Sequence, residues 1–263
     1  MNIVVCIKQV PETTEVKVDP KTNALIREGV KSIVNPFDEN AIEAALQLRE
    51  AHGGKVTVIC MGPPQADEAL RHALAMGADE AILLCDPASR GSDTLATSYT
   101  LAQVIRKIGD YDLILCGKQA IDGDTGQVGP GLAERLGLPQ ITFAIGLELA
   151  DGKLRARRVL DDFFEVIEVK LPAVVTVVKQ INEPRFPGMR NVLKAKKAQI
   201  TKWTAADIEA DLTQTGFDGS PTTVIKVWPP ERRSSGTMLE GSTDEVVSAL
   251  AKAIKELNIA VGS

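Results

Sequence analysis

Four short runs dominated by Val, Ile and Leu alternate with stretches of helical spacing, and this alternation constrains the fold more than any other feature of the chain. The runs are Asn2 to Ile7 (NIVVCI), Lys55 to Met61 (KVTVICM), Ala81 to Cys85 (AILLC) and Tyr111 to Gly117 (YDLILCG). They lack the polar alternation of a half-solvated strand, which predicts strands buried on both faces. Between them, Pro36 to His52, Pro64 to Met76 and Asp93 to Gly109 carry apolar residues at a helical period, as at Ala41, Ile42, Ala45 and Leu46. Strand and helix alternating through short connections predict an α/β fold: an open, mainly parallel Rossmann-like sheet with helices on both faces. The punctuation agrees. Asn35 is predicted to cap the first long helix, Pro36 sits where its missing N–H is harmless, and Gly53-Gly54 ends that helix. Pro63-Pro64 and Gly77 bracket the next helix, and Val16 to Arg27, turning at Asp19-Pro20, reads as a small hairpin.

After Leu138-Pro139 the pattern changes. Ile141 to Leu149, Lys153 to Val159, Phe164 to Lys170 and Ala173 to Val178 are closely spaced strand candidates, the first two joined by Asp151-Gly152, and an antiparallel meander added to the sheet is expected. From Gln180 to about Pro230 the chain holds a basic loop (RFPGMRNVLKAKK), a short helix predicted at Ala205 to Asp211, and Thr, Gly and Pro-rich stretches. An amphipathic helix over Asp244 to Leu257, capped by Ser242 or Thr243, follows. The expected organisation is a nucleotide-binding α/β domain over 1–180 and, over 181–263, a docking loop and extended arm that packs on another chain.

Composition narrows the chemistry. Two His and four Cys at positions 6, 60, 85 and 116 offer neither a CxxC pair nor a zinc knuckle, and ten aromatic residues among 263 argue against a base-stacking surface. Thirty basic against thirty-five acidic residues, a net charge of −5, disfavour nucleic acid and anionic lipid as partners. The cysteines read as small packing residues in a reducing compartment, and His52 and His72 as surface helix residues. The apolar start is interrupted by Lys8 and Gln9, and no run approaches the roughly 18 apolar residues of a membrane span, so a cytoplasmic chain is expected.

In an open α/β sheet ligands sit beyond the carboxyl ends of the strands, where helix N-termini favour anions. The most informative loop there is Lys118 to Gly129 (KQAIDGDTGQVG), glycine-rich but without the lysine of a P-loop. Thr125 is expected to cap a helix whose first amides, Gly126 to Val128, point at a phosphate. Asp122 and Asp124 either accept from ribose hydroxyls or pin the loop through backbone amides. In Ser92 to Ser98 (SDTLATS), Thr94 and Thr97 share a helical face, although on residue chemistry alone Ser92 or Asp93 is an ordinary cap and both threonines surface residues. Asn35-Pro36-Phe37-Asp38 likewise needs no ligand to explain it. No triad or paired-acid arrangement is present. The lack of HxGH and SGGxDS motifs weighs against adenylyl-transferring enzymes, leaving an ATP-binding enzyme of the same fold as an alternative of another class.

The segments VVCIKQVP, NPFDENAIEAALQL, ALAMGADEA, GKQAIDGDTGQVGP, LPAVVTVV and NEPRFPGMRNVLKAKK, in this order, together resemble the beta subunit of electron transfer flavoproteins. The resemblance implies a heterodimer with a larger alpha subunit that holds a redox-active FAD, and a second nucleotide within the beta subunit's own sheet. Conventional members hold structural AMP there and carry electrons from acyl-CoA dehydrogenases to a quinone reductase. Electron-bifurcating members hold FAD, which takes a hydride from NADH and sends one electron through the alpha-subunit flavin to a partner dehydrogenase and the other to ferredoxin or flavodoxin. The loop AIDGDTGQVGP and the SDTLATS segment resemble the bifurcating type more than the acid-rich AIDDDxNQTG of AMP-type members.

Carried over by position, the resemblance implies nucleotide contacts at Cys6, Asn35, Pro36, Phe37, Asp38 and Met61. It adds Gly117, Lys118, Gln119, Ala120, Ile121, Asp122, Gly123, Asp124, Thr125, Gly126, Gln127 and Val128, with Thr94 and Thr97 from the bifurcating pattern. Met189, where the family usually carries Leu, is the implied apolar anchor for a partner dehydrogenase. Lys194, Lys196 and Lys197 either steer an acidic partner or form a solvated basic stretch. The cofactor carries the redox chemistry, so no catalytic side chain and no metal are expected from this chain.

Overall fold

The computed structural model describes residues 1–12, 17–18, 25–26, 31–225 and 236–256. The strands are β1 (Asn2–Ile7), β2 (Gln9–Pro11), β3 (Lys17–Val18), β4 (Leu25–Ile26), β5 (Ser32–Val34), β6 (Lys55–Met61), β7 (Glu80–Leu84), β8 (Leu113–Gly117), β9 (Gln140–Ala150), β10 (Lys153–Val159), β11 (Phe164–Lys170), β12 (Ala173–Val177) and β13 (Thr201–Trp203). The helices are α1 (Pro36–His52), α2 (Asp67–Met76), α3 (Thr94–Ile108), α4 (Val128–Leu136), α5 (Met189–Lys197) and α6 (Thr243–Glu256). Backbone contacts divide the chain into one unit over Met1–Lys226 and another over Val227–Ser263, the second containing α6.

Nine strands of the first unit form one sheet in the order β11-β10-β9-β12-β8-β1-β6-β7-β13. From β9 to β13 all neighbours are parallel, whereas β9-β10 and β10-β11 are antiparallel. This is the parallel sheet with an added meander that the alternating pattern predicts. One apolar cluster, with Ile42, Leu46 and Leu70, covers one face, and a second, with Leu101, Ile105 and Leu132, covers the other. The runs carried no polar alternation because both faces of these strands are buried. Asp151 (φ 52°) and Gly152 (φ 73°) make the β9-β10 turn with both central residues left-handed, the form that matches strand twist. β3 and β4 pair antiparallel as the expected hairpin requires, while its Asp19-Pro20 turn, like Leu257 at the predicted end of α6, lies outside the described residues.

Three local expectations are corrected. Asn35 makes no side-chain cap; its backbone carbonyl receives the N–H groups of Asp38 and Glu39, while its side chain is drawn elsewhere. Residues 205–209 form turns instead of a helix, and Glu209 at φ 52° cannot continue one. The basic segment read as a loop contains α5, whose last carbonyls are held from α2: Arg71 donates to the carbonyls of Ala195 (2.7 Å), Lys196 (3.1 Å) and Ala198 (3.1 Å), with its Nε on Asp67. A cation on the carbonyl end of a helix satisfies acceptors that the helix itself leaves open.

Candidate nucleotide-binding site

The strand order reverses at β1, because the chain runs from β1 to β6 and β7 on one side and returns to β8 on the other. Such a reversal opens a crevice beyond the carboxyl ends of the two central strands. There a cleft of about 470 Å³ lies over Cys6 and Cys116, a volume in the range of small-molecule sites. Thr94 and Thr97 of α3 form one wall, and Gly117 to Ala120 with Gly123 and Thr125 to Gly129 form a second that adjoins it, with Leu101 in the floor. Ile7, Lys8, Asp38, Ser92, Asp93 and Thr222 complete the lining.

Two buried side chains at the start of α1 shape this edge. Asp38 accepts hydrogen bonds from the backbone N–H of Lys8 (2.8 Å) and of Gly117 (3.1 Å), joining the ends of β1 and β8. Burial pushes its carboxyl up to about 7, opposed by those two N–H donors and the Lys8 charge, which favour the ionised form. Asn35, 0% exposed, donates from Nδ2 to the Gln119 carbonyl (2.8 Å) and accepts at Oδ1 from the Ile121 N–H (3.1 Å). It therefore clamps the glycine loop from across the cleft edge. Gly117 is required by close approach: a Cβ there would stand 2.3 Å from Asp38 Oδ1 and 2.7 Å from Phe37 Cβ.

The loop departs from expectation at Thr125. Asp124 (φ 55°) and Gly126 (φ 64°) are left-handed, so no helix passes through them; α4 begins at Val128, with Gln127 as a cap position that makes no side-chain cap bond. Thr125 lines the cleft without capping α4. The aspartates are fixed by side chains: Asp122 receives Lys8 Nζ at both oxygens (2.7 Å each), and Asp124 receives Gln119 Nε2. Gly129 lets α4 lie against β12, since a Cβ would meet Thr176 Cγ2 at 2.3 Å.

The α3 wall is organised by Asp93, which caps its own helix by accepting from the N–H groups of Leu95 (2.9 Å) and Ala96 (3.1 Å). Its other oxygen accepts from the Thr222 N–H (3.1 Å) and hydroxyl (2.8 Å). Burial opposes its ionisation, but the amides of Ala96 and Leu95 and the Thr222 donors hold it below the usual carboxylate range. Thr94 Oγ1 donates to Gln127 Oε1 (2.8 Å), bridging the two walls.

These residues fit the phosphate-bearing part of a nucleotide. α3 has consumed its first amides on Asp93, whereas α4 has no side-chain cap and starts at the cleft wall with the N–H groups of Val128 and Gly129. Lys118 supplies positive charge and Thr97 a hydroxyl, whereas Lys8 is paired with Asp122 and the Thr94 hydroxyl is engaged on Gln127. The floor of Cys6, Cys116 and Leu101 is apolar, as a planar ring system requires.

Of the residues singled out in the sequence, Cys6, Asp38, Thr94, Thr97, Gly117 to Ala120, Gly123 and Thr125 to Val128 meet at the cleft. Asn35, Pro36, Ile121, Asp122 and Asp124 surround it without lining it; Met61 packs in the apolar cluster below, and Phe37 lines a neighbouring cleft with Lys118, Phe143 and Lys179. Lining residues that sequence reasoning did not assign to the site are Ile7, Lys8, Ser92, Asp93, Leu101, Gly129 and Thr222, the last from a segment with no periodicity to mark it. His72 is half-buried, with Nε2 3.0 Å from Glu39. Met189 opens α5 at 77% exposure, beside Phe186 at 96%. Arg185 anchors the preceding turn through Nε to Glu43 (2.7 Å) and Nη2 to Glu50 (3.1 Å), and Asn40 donates to the Asn182 carbonyl (2.8 Å).

Comparison with known proteins adds an independent line. The family described as the electron transfer flavoprotein domain matches residues 22–208. The electron transfer flavoprotein subunit beta of Thermoanaerobacterium thermosaccharolyticum is 48% identical over 260 residues, covering 98% of this chain and 100% of that protein. The caffeyl-CoA reductase-Etf complex subunit CarD of Acetobacterium woodii is 48% identical over 261 residues (98% and 100%), and Protein FixA of Azorhizobium caulinodans is 45% identical over 259 residues (95% and 92%).

Proposed function

The chain belongs to the electron transfer flavoprotein family as a beta subunit, and from that premise we propose that its cleft binds FAD as the NADH-oxidising, electron-bifurcating centre of a heterodimer with an alpha subunit. The observation that carries the choice of FAD over AMP is the pair of donor-bearing walls. The uncapped start of α4 and the Thr97 hydroxyl of α3 line one cleft from adjoining helices, with the Thr94 hydroxyl joining the two through Gln127. A single phosphate needs one such wall, whereas a pyrophosphate bearing a second nucleotide half uses both.

Bound there, FAD would supply the redox chemistry: hydride acceptance from NADH and single-electron delivery to ferredoxin or flavodoxin and, through the alpha-subunit FAD, to a partner dehydrogenase of the acyl-CoA type. The residues of this chain bind and orient. The amides of Val128 and Gly129 and the charge of Lys118 would hold phosphate oxygens, while Asn35 and Asp38 fix the loop and strand ends that carry those donors. Cys6, Cys116 and Leu101 exclude water from the floor. Exposed Met189 and Phe186 at the start of α5 serve as the apolar anchor for the partner dehydrogenase, and α6 with the segment before it as the arm on the alpha subunit.

Acid extraction of the purified heterodimer tests this reading: two FAD per dimer and reduction by NADH are expected. One FAD with one AMP overturns it in favour of a conventional carrier. Thr94→Val with Thr97→Val should lower FAD to about one per dimer while leaving the alpha-subunit flavin in place.

A further inference from the structure

Cys6 and Cys116 stand directly opposite each other on adjacent parallel strands, in register, at the point where the strand order reverses. Both belong to the same apolar cluster, so their side chains leave the same face of the sheet, and both line the floor of the nucleotide cleft at 7% and 5% exposure. No other pair of the four cysteines shares these features. Cys60 packs in the cluster on the opposite face, and Cys85 lies beyond the end of β7. All four are free thiols. We propose that Cys6 and Cys116 form an oxidisable dithiol whose conversion to a disulfide is gated by occupancy of the nucleotide cleft.

Neighbouring strands lie about 4.8 Å apart, within the Cα separations that a disulfide spans, but without the freedom to adjust that a loop has. The bond is therefore formed under constraint and is readily reduced, the character of a reversible modification site. With a small-molecule disulfide RSSR as oxidant, one cysteine thiolate attacks a sulfur of RSSR and expels RS⁻. The second thiolate then attacks the mixed disulfide, giving Cys6–S–S–Cys116 and a second RS⁻; two electrons pass from the cysteine pair to RSSR, and the two cysteine protons go to the two RS⁻ groups. The neighbouring Cys116 thiol and burial push the Cys6 thiol well above its ordinary value, with Asp38 adding to the shift. The raised pKa keeps the attacking thiolate scarce, so the pair oxidises slowly and only through the cleft mouth, the route a bound nucleotide covers. Gating rests on the nucleotide reading above; the pairing itself does not.

The test uses the intact heterodimer, stripped of nucleotide and exposed to excess oxidised glutathione, then alkylated and mapped by mass spectrometry, with bound adenine measured in parallel. A Cys6–Cys116 linked peptide is expected. Adding FAD or AMP at about 100 times its dissociation constant should slow its formation about 100-fold, the fraction of sites left empty. Cys116→Ser should yield a Cys6–glutathione adduct and no internal link, and the oxidised wild type should bind nucleotide more weakly than the reduced. Absence of the link in stripped protein, or links involving Cys60 or Cys85 instead, overturns the pairing. An equal rate at confirmed full occupancy overturns the gating, whereas failure of added nucleotide to bind at all refutes the nucleotide reading and leaves the pairing to stand on the stripped sample.

Discussion

Asn35→Ala isolates the clamp on the glycine loop. The side chain is 0% exposed and makes two hydrogen bonds with residues more than eighty positions away, at 2.8 Å to the Gln119 carbonyl and 3.1 Å from the Ile121 N–H. Truncation removes both and leaves a carbonyl and an amide unpartnered. A fully buried orphan costs about 1–3 kcal/mol, and because Gln119 and Ile121 are half-buried, water recovers part of that. The expected loss is about 2–3 kcal/mol, a Tm decrease of roughly 4–12 °C for a unit of this size. Because the cost falls on the loop that lines the cleft, nucleotide retained through gel filtration should fall as well. Asn35→Asp separates the two bonds: the carboxylate still accepts from Ile121 but sets an oxygen against the Gln119 carbonyl, so it should be no more stable than the alanine variant. If Asn35→Ala melts within 1 °C of wild type, about the resolution of a small ΔΔG, and keeps its nucleotide, the clamp is refuted and Asn35 is a spacer at the head of α1.

Three further perturbations follow from the geometry. The Asp38 carboxyl is raised to about 7 by burial, so the native state binds its proton more tightly than the unfolded chain; the stability advantage of wild type over Asp38→Asn should be greatest below pH 4 and fall as pH rises through about 7. A difference that grows over that interval in paired denaturation curves refutes the sign. Burial opposes ionisation of Glu43, yet the Arg185 hydrogen bonds hold it below its usual range, so Arg185→Ala should cost about 2–3 kcal/mol at pH 7 and progressively less as pH falls below about 4.5. A pH-independent loss in thermal melts counts against that ion pair as the cause. Gly129→Ala forces a Cβ against Thr176 Cγ2 at 2.3 Å, and since Thr176 Oγ1 accepts from the Phe143 N–H the threonine cannot simply turn away; about 1–3 kcal/mol of overpacking is expected, and an unchanged Tm would show that α4 can slide.

The parallel sheet was legible because burial on both faces writes itself into consecutive positions: Val4, Val5, Val56 and Leu115 are apolar for reasons their immediate neighbours share. The site was legible in outline because its glycines mark where the backbone approaches closely, as at Gly117 and Gly129. What stayed hidden depends on partners remote in sequence. Asn35 before Pro36 looks the same whether it caps a helix or reaches across to Gln119, and only the fold decides between them. α5 was hidden behind Pro187-Gly188 because the charge that secures its last turn, Arg71, belongs to another helix. Thr222 lines the cleft through an aspartate 129 positions away, from a segment whose composition carries no period at all. Thr125 failed as a cap for a different reason: Asp124 adopts a left-handed backbone that a non-glycine residue does not advertise, and the helix starts two residues further on. That shift matters chemically. Had Thr125 capped the helix, it would have consumed an amide in the first turn; with the start moved to Val128 and no side-chain cap at Gln127, the amides of Val128 and Gly129 remain for a phosphate. The backbone irregularity that defeated the local reading is thus what leaves the anion site open.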